Sequence, residues 1–568
     1  MRLKRLLRGE PLVLAALLLL ALLLFALPLG LLFRIGLSED GLPSLAPLLE
    51  AAAARSVRVA LWNSLESAMI SALGALLIGT AMALAIGLTD LRGRGLFVFV
   101  LLLPMMIPPH VTAIAWVQAL GPASPVLQAL GLAPPVGATH PLYSAAGVWL
   151  LLTLQHAPLV FLVVLAALRA LPREMSEAAR IAGARPLRLL SRVLLPLLAP
   201  SLLAGFALAF VSALGNFGIP ALLGIPARYT TLPVLIWRRL SSFGPSVLRD
   251  VAVISVLLAV VAVLAIWLQS VLQRRARAQV IGPPQASLRI ALGRWRGWVT
   301  AGLVLYAVAT LVLPLTSLVA TALVPTYGVK LTLATLTWDN FAEVLLRQGV
   351  TLRAFFNSTL TAGGAALVLA GLSCLLAFFL TARGRGARRV SGGIATLAEV
   401  SYAVPGLVIS IAFILAFLRP LPGLGVSLYN TLWIIALAYL TAFFSVALKP
   451  VAAAYGQLDP SLDDAARVSG AGFGRRMWRI FLPLVAPAAG SGAILVFLTA
   501  YNEITVSALL WSTGNETIGT TIFNYEDGGY TVLAAAMASV TVAATMGLMV
   551  ALDRLGRRLP PGVVPWRI

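Results

Sequence analysis

Glu177, Ala178, Ala179 and Gly183 recur 287 residues later as Asp464, Ala465, Ala466 and Gly470. They lie in two twenty-residue stretches, EAARIAGARPLRLLSRVLLP (Glu177 to Pro196) and DAARVSGAGFGRRMWRIFLP (Asp464 to Pro483), that are identical at nine positions. These residue types make neither a nucleophile nor a metal-ligand set, so the chemistry open to them is docking. Pro172 is suited to open a helix that Gly183 ends, and Asp459 to cap one that runs from Pro460 to Gly470. One face would carry Met175, Ala178, Ala179 and Ala182 in the first copy, and Leu462, Ala465, Ala466 and Ser469 in the second. That is the i, i+3, i+4, i+7 stripe of an amphipathic helix. A face made mainly of alanine is too small to anchor in lipid but suits insertion into a groove on another protein. The alternative, a surface helix that merely covers its own domain, does not account for two copies in register.

The remaining chemistry is sparse. A phosphate-cradling loop needs a Gly-rich turn followed by Lys and Ser or Thr. The three lysines, Lys4, Lys330 and Lys449, have no such neighbours, so ATP hydrolysis by that route is excluded. No HExxH or G-x-S-x-G pattern is present. Cys374 stands alone, and His110, His140 and His156 are not spaced as ligands. Glu66 and Glu399 lie in apolar runs with apolar counterparts in the other half, and read as structural or membrane-boundary groups. Pro104, Pro108, Pro109 and Pro405 are expected to break helices near mid-membrane. Arg228, Arg238, Arg239 and Arg249 on one side, against Glu516, Glu526 and Asp527 on the other, would orient an asymmetric external partner, with anchoring of the arginines at the membrane edge the equal alternative for their half.

The elements that must hold these residues are set by composition. Of 568 residues, 60% are hydrophobic and 11% charged; the mean hydropathy is +0.96. Such a chain is a polytopic membrane protein, all-α. The net charge of +22 sits in short Arg clusters beside apolar runs, the pattern that sets topology rather than nucleic-acid binding. Apolar segments long enough to cross fall near 11–33, 59–88, 96–120, 142–168, 197–222 and 250–272. A second set falls near 298–324, 355–381, 393–418, 428–448, 484–510 and 531–552. The first is longer than a signal-peptide core and lacks a cleavage site, so it reads as a retained span.

With a cytoplasmic N-terminus, 31 of the 42 Lys and Arg residues lie inside and 11 outside, which places both termini and both repeated stretches in the cytoplasm. Six spans per half make the repeats parallel, related by an axis along the membrane normal, with the pathway between them. Asn63-Ser64 matches Asn357-Ser358, Pro108 matches Pro405, Ala221 to Leu223 match Ala508 to Leu510, and Thr230 matches Thr517. The expected division is a first repeat over 1–272, a cytoplasmic linker over 273–297 and a second repeat over 298–568, with the repeated loops spanning 172–196 and 459–483.

The acidic residue, paired alanines and glycine, thirteen residues before the Leu-Pro proline (Gly183 to Pro196, Gly470 to Pro483), resemble the EAA loop of ATP-binding cassette (ABC) importer permeases. Two further stretches, GNFGIPALLGIPARYTTLPVLIW from Gly215 and YNEITVSALLWSTGNETIGTTIF from Tyr501, resemble the fused two-domain permeases of ferric iron importers. The resemblance implies a type I importer permease fold of about twelve spans in a bacterial inner membrane. It implies coupling helices at Glu177, Ala178, Ala179 and Gly183 and at Asp464, Ala465, Ala466 and Gly470, seated in two ATPase subunits that hold ATP and magnesium. It also implies an external solute-binding protein, and a path lined by Asn216, Tyr501, Asn502 and Glu503. A ferric ion, as a hard cation, would meet Glu503 and Tyr501, whereas hydrogen bonding between helices is the equal alternative for Glu503. Thiamine or phosphonate permeases share this plan. A gradient-driven carrier or a membrane scaffold for an ATPase are the readings from other classes.

Overall fold

In lipid every backbone polar group must be satisfied within its own segment, so apolar runs of about 20 residues form helices. The computed structural model describes residues 9–564 except 136, 172, 243, 245, 276–289, 383, 421–424, 557 and 559–562. Pro172 and most of the expected linker therefore lie outside the described residues.

In chain order the first half contains α1 (Gly9–Gly36), α2 (Arg55–Leu88), α3 (Arg94–Met106), α4 (Pro109–Leu120), α5 (Ala145–Ala170), α6 (Arg173–Ile181), α7 (Leu190–Leu214), α8 (Leu232–Leu240) and α9 (Val247–Leu272). The second half repeats the order with α10 (Gly293–Ala322), α11 (Gly349–Leu380), α12 (Arg385–Ala403), α13 (Gly406–Phe417), α14 (Leu432–Gly456), α15 (Ser461–Val468), α16 (Phe473–Tyr501), α17 (Ile518–Asp527) and α18 (Thr531–Leu555). Among the described residues ten helices are long and apolar enough to cross. Two further spans are bent pairs, with turns of 98° between α3 and the segment that begins with α4, and 113° between α12 and α13. Together they make twelve. The bends fall at Pro108 and Pro405, where proline disfavours helical geometry in the residue before it and removes a backbone donor.

Each half is built on three mutually packed spans, α2, α5 and α7 in the first and α11, α14 and α16 in the second. Small residues let them approach. Ala60, Ser64, Ser67, Ala68, Ser71, Ala72 and Ala75 line the buried face of α2, and a Cβ on Gly79 would lie 2.6 Å from the Ala157 carbonyl oxygen. The first span of each half packs on the last span of its own half and also crosses to the other. The C-terminal part of α1 lies on α13, and that of α10 on α4. The Thr441 hydroxyl donates to the Leu24 carbonyl across the same seam at 3.0 Å.

The fifth and eleventh spans end earlier than hydropathy implies. Helix stops at Leu214 and Tyr501 rather than near 222 and 510, because the apolar residues beyond them turn into the seam between the halves instead of continuing through lipid.

Candidate coupling helices and pathway

Both short helices of the repeated loops form on the same face of the bundle. Gly183 and Gly470 end them with φ of +80° and +76°, a left-handed geometry that costs any other residue about 1–2 kcal/mol. The closing bonds match: Ala184 N–H to the Ala179 carbonyl and Ala471 N–H to the Ala466 carbonyl, each 2.9 Å. These satisfy carbonyls that would otherwise be left open at the helix end. Asp459 accepts from the Ser461 amide at 2.8 Å, and that bond holds its carboxyl below the ordinary value of 3.8.

The stripe expected from the sequence divides. Ala178, Ala182, Ala465 and Ser469 are exposed, Glu177, Ala179 and Asp464 are half-buried, and Ala466 is buried against its own bundle. Two large apolar residues outside the stripe stand far out: Ile181 is 89% exposed and Val468 90%. They are repeat counterparts, apolar and β-branched, one on each loop. Their signal in the sequence was a branched apolar residue at one register of both copies, flanked by arginine and glycine. Pro196 and Pro483 sit on the exit helices, each just after a wider π turn, Leu190–Leu194 and Met477–Phe481. That turn accommodates a residue with no amide proton to donate.

Charge fastens the second loop and the start of the second half. Arg476, with its side chain 3% exposed, pairs with both Glu10 and Asp463 and lies over the Phe378 ring, 5.9 Å from its centroid. Arg467 bonds Asp463 at 2.8 Å and Glu10 at 3.3 Å. In the first half, the Leu292 amide (3.0 Å) and the Arg296 guanidinium both reach Asp90 and hold its carboxyl below its usual range. This pins the chain entering the second half beneath the first.

The expected path residues gather at the ends of α7 and α16. The Asn216 oxygen accepts from the Ile219 amide at 3.2 Å. Its counterpart Glu503 accepts from the Val506 and Ser507 amides at 2.6 and 3.1 Å. Both side chains thus hold the turn that follows the span. Asn502 donates to the Thr545 hydroxyl on α18 at 3.0 Å, and Tyr501 stacks on Phe497 at 5.2 Å. Glu66 accepts from the Tyr229 hydroxyl at 2.8 Å, a bond within the first half. Among the described residues no three His, Cys, Asp or Glu side chains gather as a metal site.

Two six-span repeats that meet along a seam, each presenting a short helix on one face, define a two-fold membrane permease. Residues 75–278 and 373–564 match the family described as binding-protein-dependent transport system inner membrane component, once per half, and the chain belongs to it. A probable ABC transporter permease of Sinorhizobium fredii is 27% identical over 543 residues, covering 94% of this chain and 92% of its own length. The ferric transport system permease protein FbpB of Actinobacillus pleuropneumoniae is 25% identical over 466 residues, 80% of this chain and 64% of its own. A probable molybdenum ABC transporter permease of Haloferax volcanii is 33% identical over 210 residues, 37% of this chain and 74% of its own. The chain is thus a multi-pass transport component of an ABC importer, a class that works with an ATPase and a solute-binding protein.

Proposed function

We propose that this permease carries ferric iron, with one ATPase subunit docked on each of α6 and α15. The observation that carries the docking half of this reading is the pair Ile181 and Val468. Two apolar tips in equivalent register, about nine-tenths exposed, stand beside exposed Ala178 and Ala465 on helices ended by the same left-handed glycine. Glu177, Ala179, Gly183, Asp464, Ala466 and Gly470 set the shape of those helices, while Pro196 and Pro483 set where the exit helices leave them. ATP and magnesium belong to the partner subunits. Closure of the motor dimer would favour one arrangement of the two halves and hydrolysis would release it.

In this reading both termini and both loops face the cytoplasm, the repeats comprise 1–272 and 298–568, and 273–297 joins them. Iron is favoured over other solutes because the ferric relative aligns across both halves, whereas the molybdenum relative aligns over 37% of the chain. An oxyanion is the competing cargo, favoured by the higher identity of that shorter match. Uptake by vesicles containing the permease, its ATPase and its binding protein decides between them. The reading expects ATP-dependent accumulation of ferric ion in preference to molybdate, a phosphonate or thiamine, and the reverse preference removes the iron assignment.

A further inference from the structure

Residues related by a two-fold axis can touch their own counterparts only near that axis. Phe217 and Ile504 are counterparts 287 residues apart, as are Ala221 and Ala508, and all four belong to one apolar cluster that holds residues of both halves. The cluster therefore lies on the axis between the repeats. It follows directly on the fifth span of each half. The 25 residues of α7 rise about 37 Å at 1.5 Å each, so the cluster lies at the bilayer face opposite the coupling helices. Three aromatic rings close it. Phe217 lies 5.4 Å from Phe523 and 5.8 Å from Trp237, and Trp237 lies 5.8 Å from Phe523, so one ring of the second half is wedged against two of the first.

Trp237 and Phe523 ride on α8 and α17, and the matched Asn-Ser pairs hold both helices. In the first half Asn63 donates to the Thr230 carbonyl at 2.9 Å, and the Ser64 hydroxyl accepts from the Leu232 amide at 2.7 Å. In the second, Asn357 donates to the Glu516 carbonyl at 3.0 Å, and the Ser358 hydroxyl accepts from the Ile518 amide at 2.9 Å. Leu232 and Ile518 are the first residues of their helices, whose amides have no partner within the helix. Ser64 and Ser358 are buried, so removing either hydroxyl strands a donor in a dry site.

We infer that Phe217, Trp237 and Phe523 form the seal across the translocation axis on the face opposite the ATPases, and that Asn63-Ser64 and Asn357-Ser358 are positioning residues that clasp the two helices carrying it. This rests on the permease reading but not on the cargo. An apolar seal on the axis excludes water and ions from a path that is otherwise bordered by polar turns at Asn216 and Glu503.

The test is passive leak of trapped potassium from vesicles reconstituted with the assembly purified through the full-length chain, without ATP and normalised to monodisperse protein. Phe217→Ala combined with Phe523→Ala should raise the leak several-fold. Ser64→Ala and Ser358→Ala should raise it in the same direction, and Ser64→Thr and Ser358→Thr, which keep the hydroxyl, should return it to the wild-type level. A purely structural role for the serines would lower the yield of folded protein without changing leak per folded molecule, and that result overturns the clasp. Leak at the wild-type level in folded Phe217→Ala/Phe523→Ala protein overturns the seal. Whether an ATPase co-purifies reports on the permease reading separately, since the leak needs no motor.

Discussion

The two proposed coupling helices share a backbone and differ in how they are fastened. Both end on a left-handed glycine and expose a branched apolar tip. The second is tied by four charged groups: Asp463, Arg467 and Arg476 on its own loop, and Glu10 on the first span of the other half. The positions matching Asp463 and Arg476 in the first loop are Ser176 and Leu189, neither charged, and Leu189 is buried among apolar residues. The repeated residues thus specify the shape of the loop helix, and the unrepeated ones specify its seat. Because Glu10 belongs to α1, displacement of the second helix pulls directly on the first half.

The largest effect should fall equally on both loops. A Cβ at Gly183 or Gly470 would meet nothing within 4 Å among the described residues, but the residue must adopt a positive φ. Gly183→Glu and Gly470→Glu should each abolish coupled uptake while the membrane domain stays folded, as checked by transport against ATPase rate. Normal transport in both would break the likeness between the loops.

The next effect should fall on the second loop alone. Glu10→Gln with Asp463→Asn leaves the buried Arg476 without a carboxylate, and breaking a buried pair in this way costs about 3–5 kcal/mol. A lower melting temperature of the purified chain would show it; an unchanged melt would dissolve the asymmetry. Smaller still, Asp459→Ala removes the acceptor that holds the Ser461 amide at the start of the helix, seen as faster hydrogen exchange at that amide.

The smallest effect is that of pH on the same hydrogen bond. The folded pKa of Asp459 is depressed, so its stabilisation is fully present above the ordinary value of 3.8 and is lost as pH falls below it. Exchange at Ser461 should quicken in that window in the wild-type chain and be independent of pH there, after correction for intrinsic rates, in Asp459→Ala.

Much of the architecture was legible because lipid permits so few solutions. Twelve apolar runs, the breaks at Pro108 and Pro405 and the two loop helices follow from hydropathy, proline chemistry and internal repetition. The ends of the fifth and eleventh spans were not legible. Ala221 to Leu223 and Ala508 to Leu510 are as apolar as a span, and hydropathy does not separate residues facing lipid from residues packed on a seam. Glu503 read as an ionisable group inside the membrane; its carboxylate is engaged by two backbone amides of the turn after the helix, as the Asn216 side chain is by one. Ile181 and Val468 were hidden by the alanine pattern beside them. The pairing of Glu10 with Arg476 joins residues 466 apart, and nothing local in either segment marks the other.

The most direct test of the central claim is cross-linking from the two exposed tips. Ile181→Cys and Val468→Cys, in a Cys374→Ser background, would be treated with a short thiol cross-linker in membranes containing the intact assembly. Capture of an ATPase subunit from both positions is the expected result; capture from neither would contradict the assignment of these helices as the site where the motor acts.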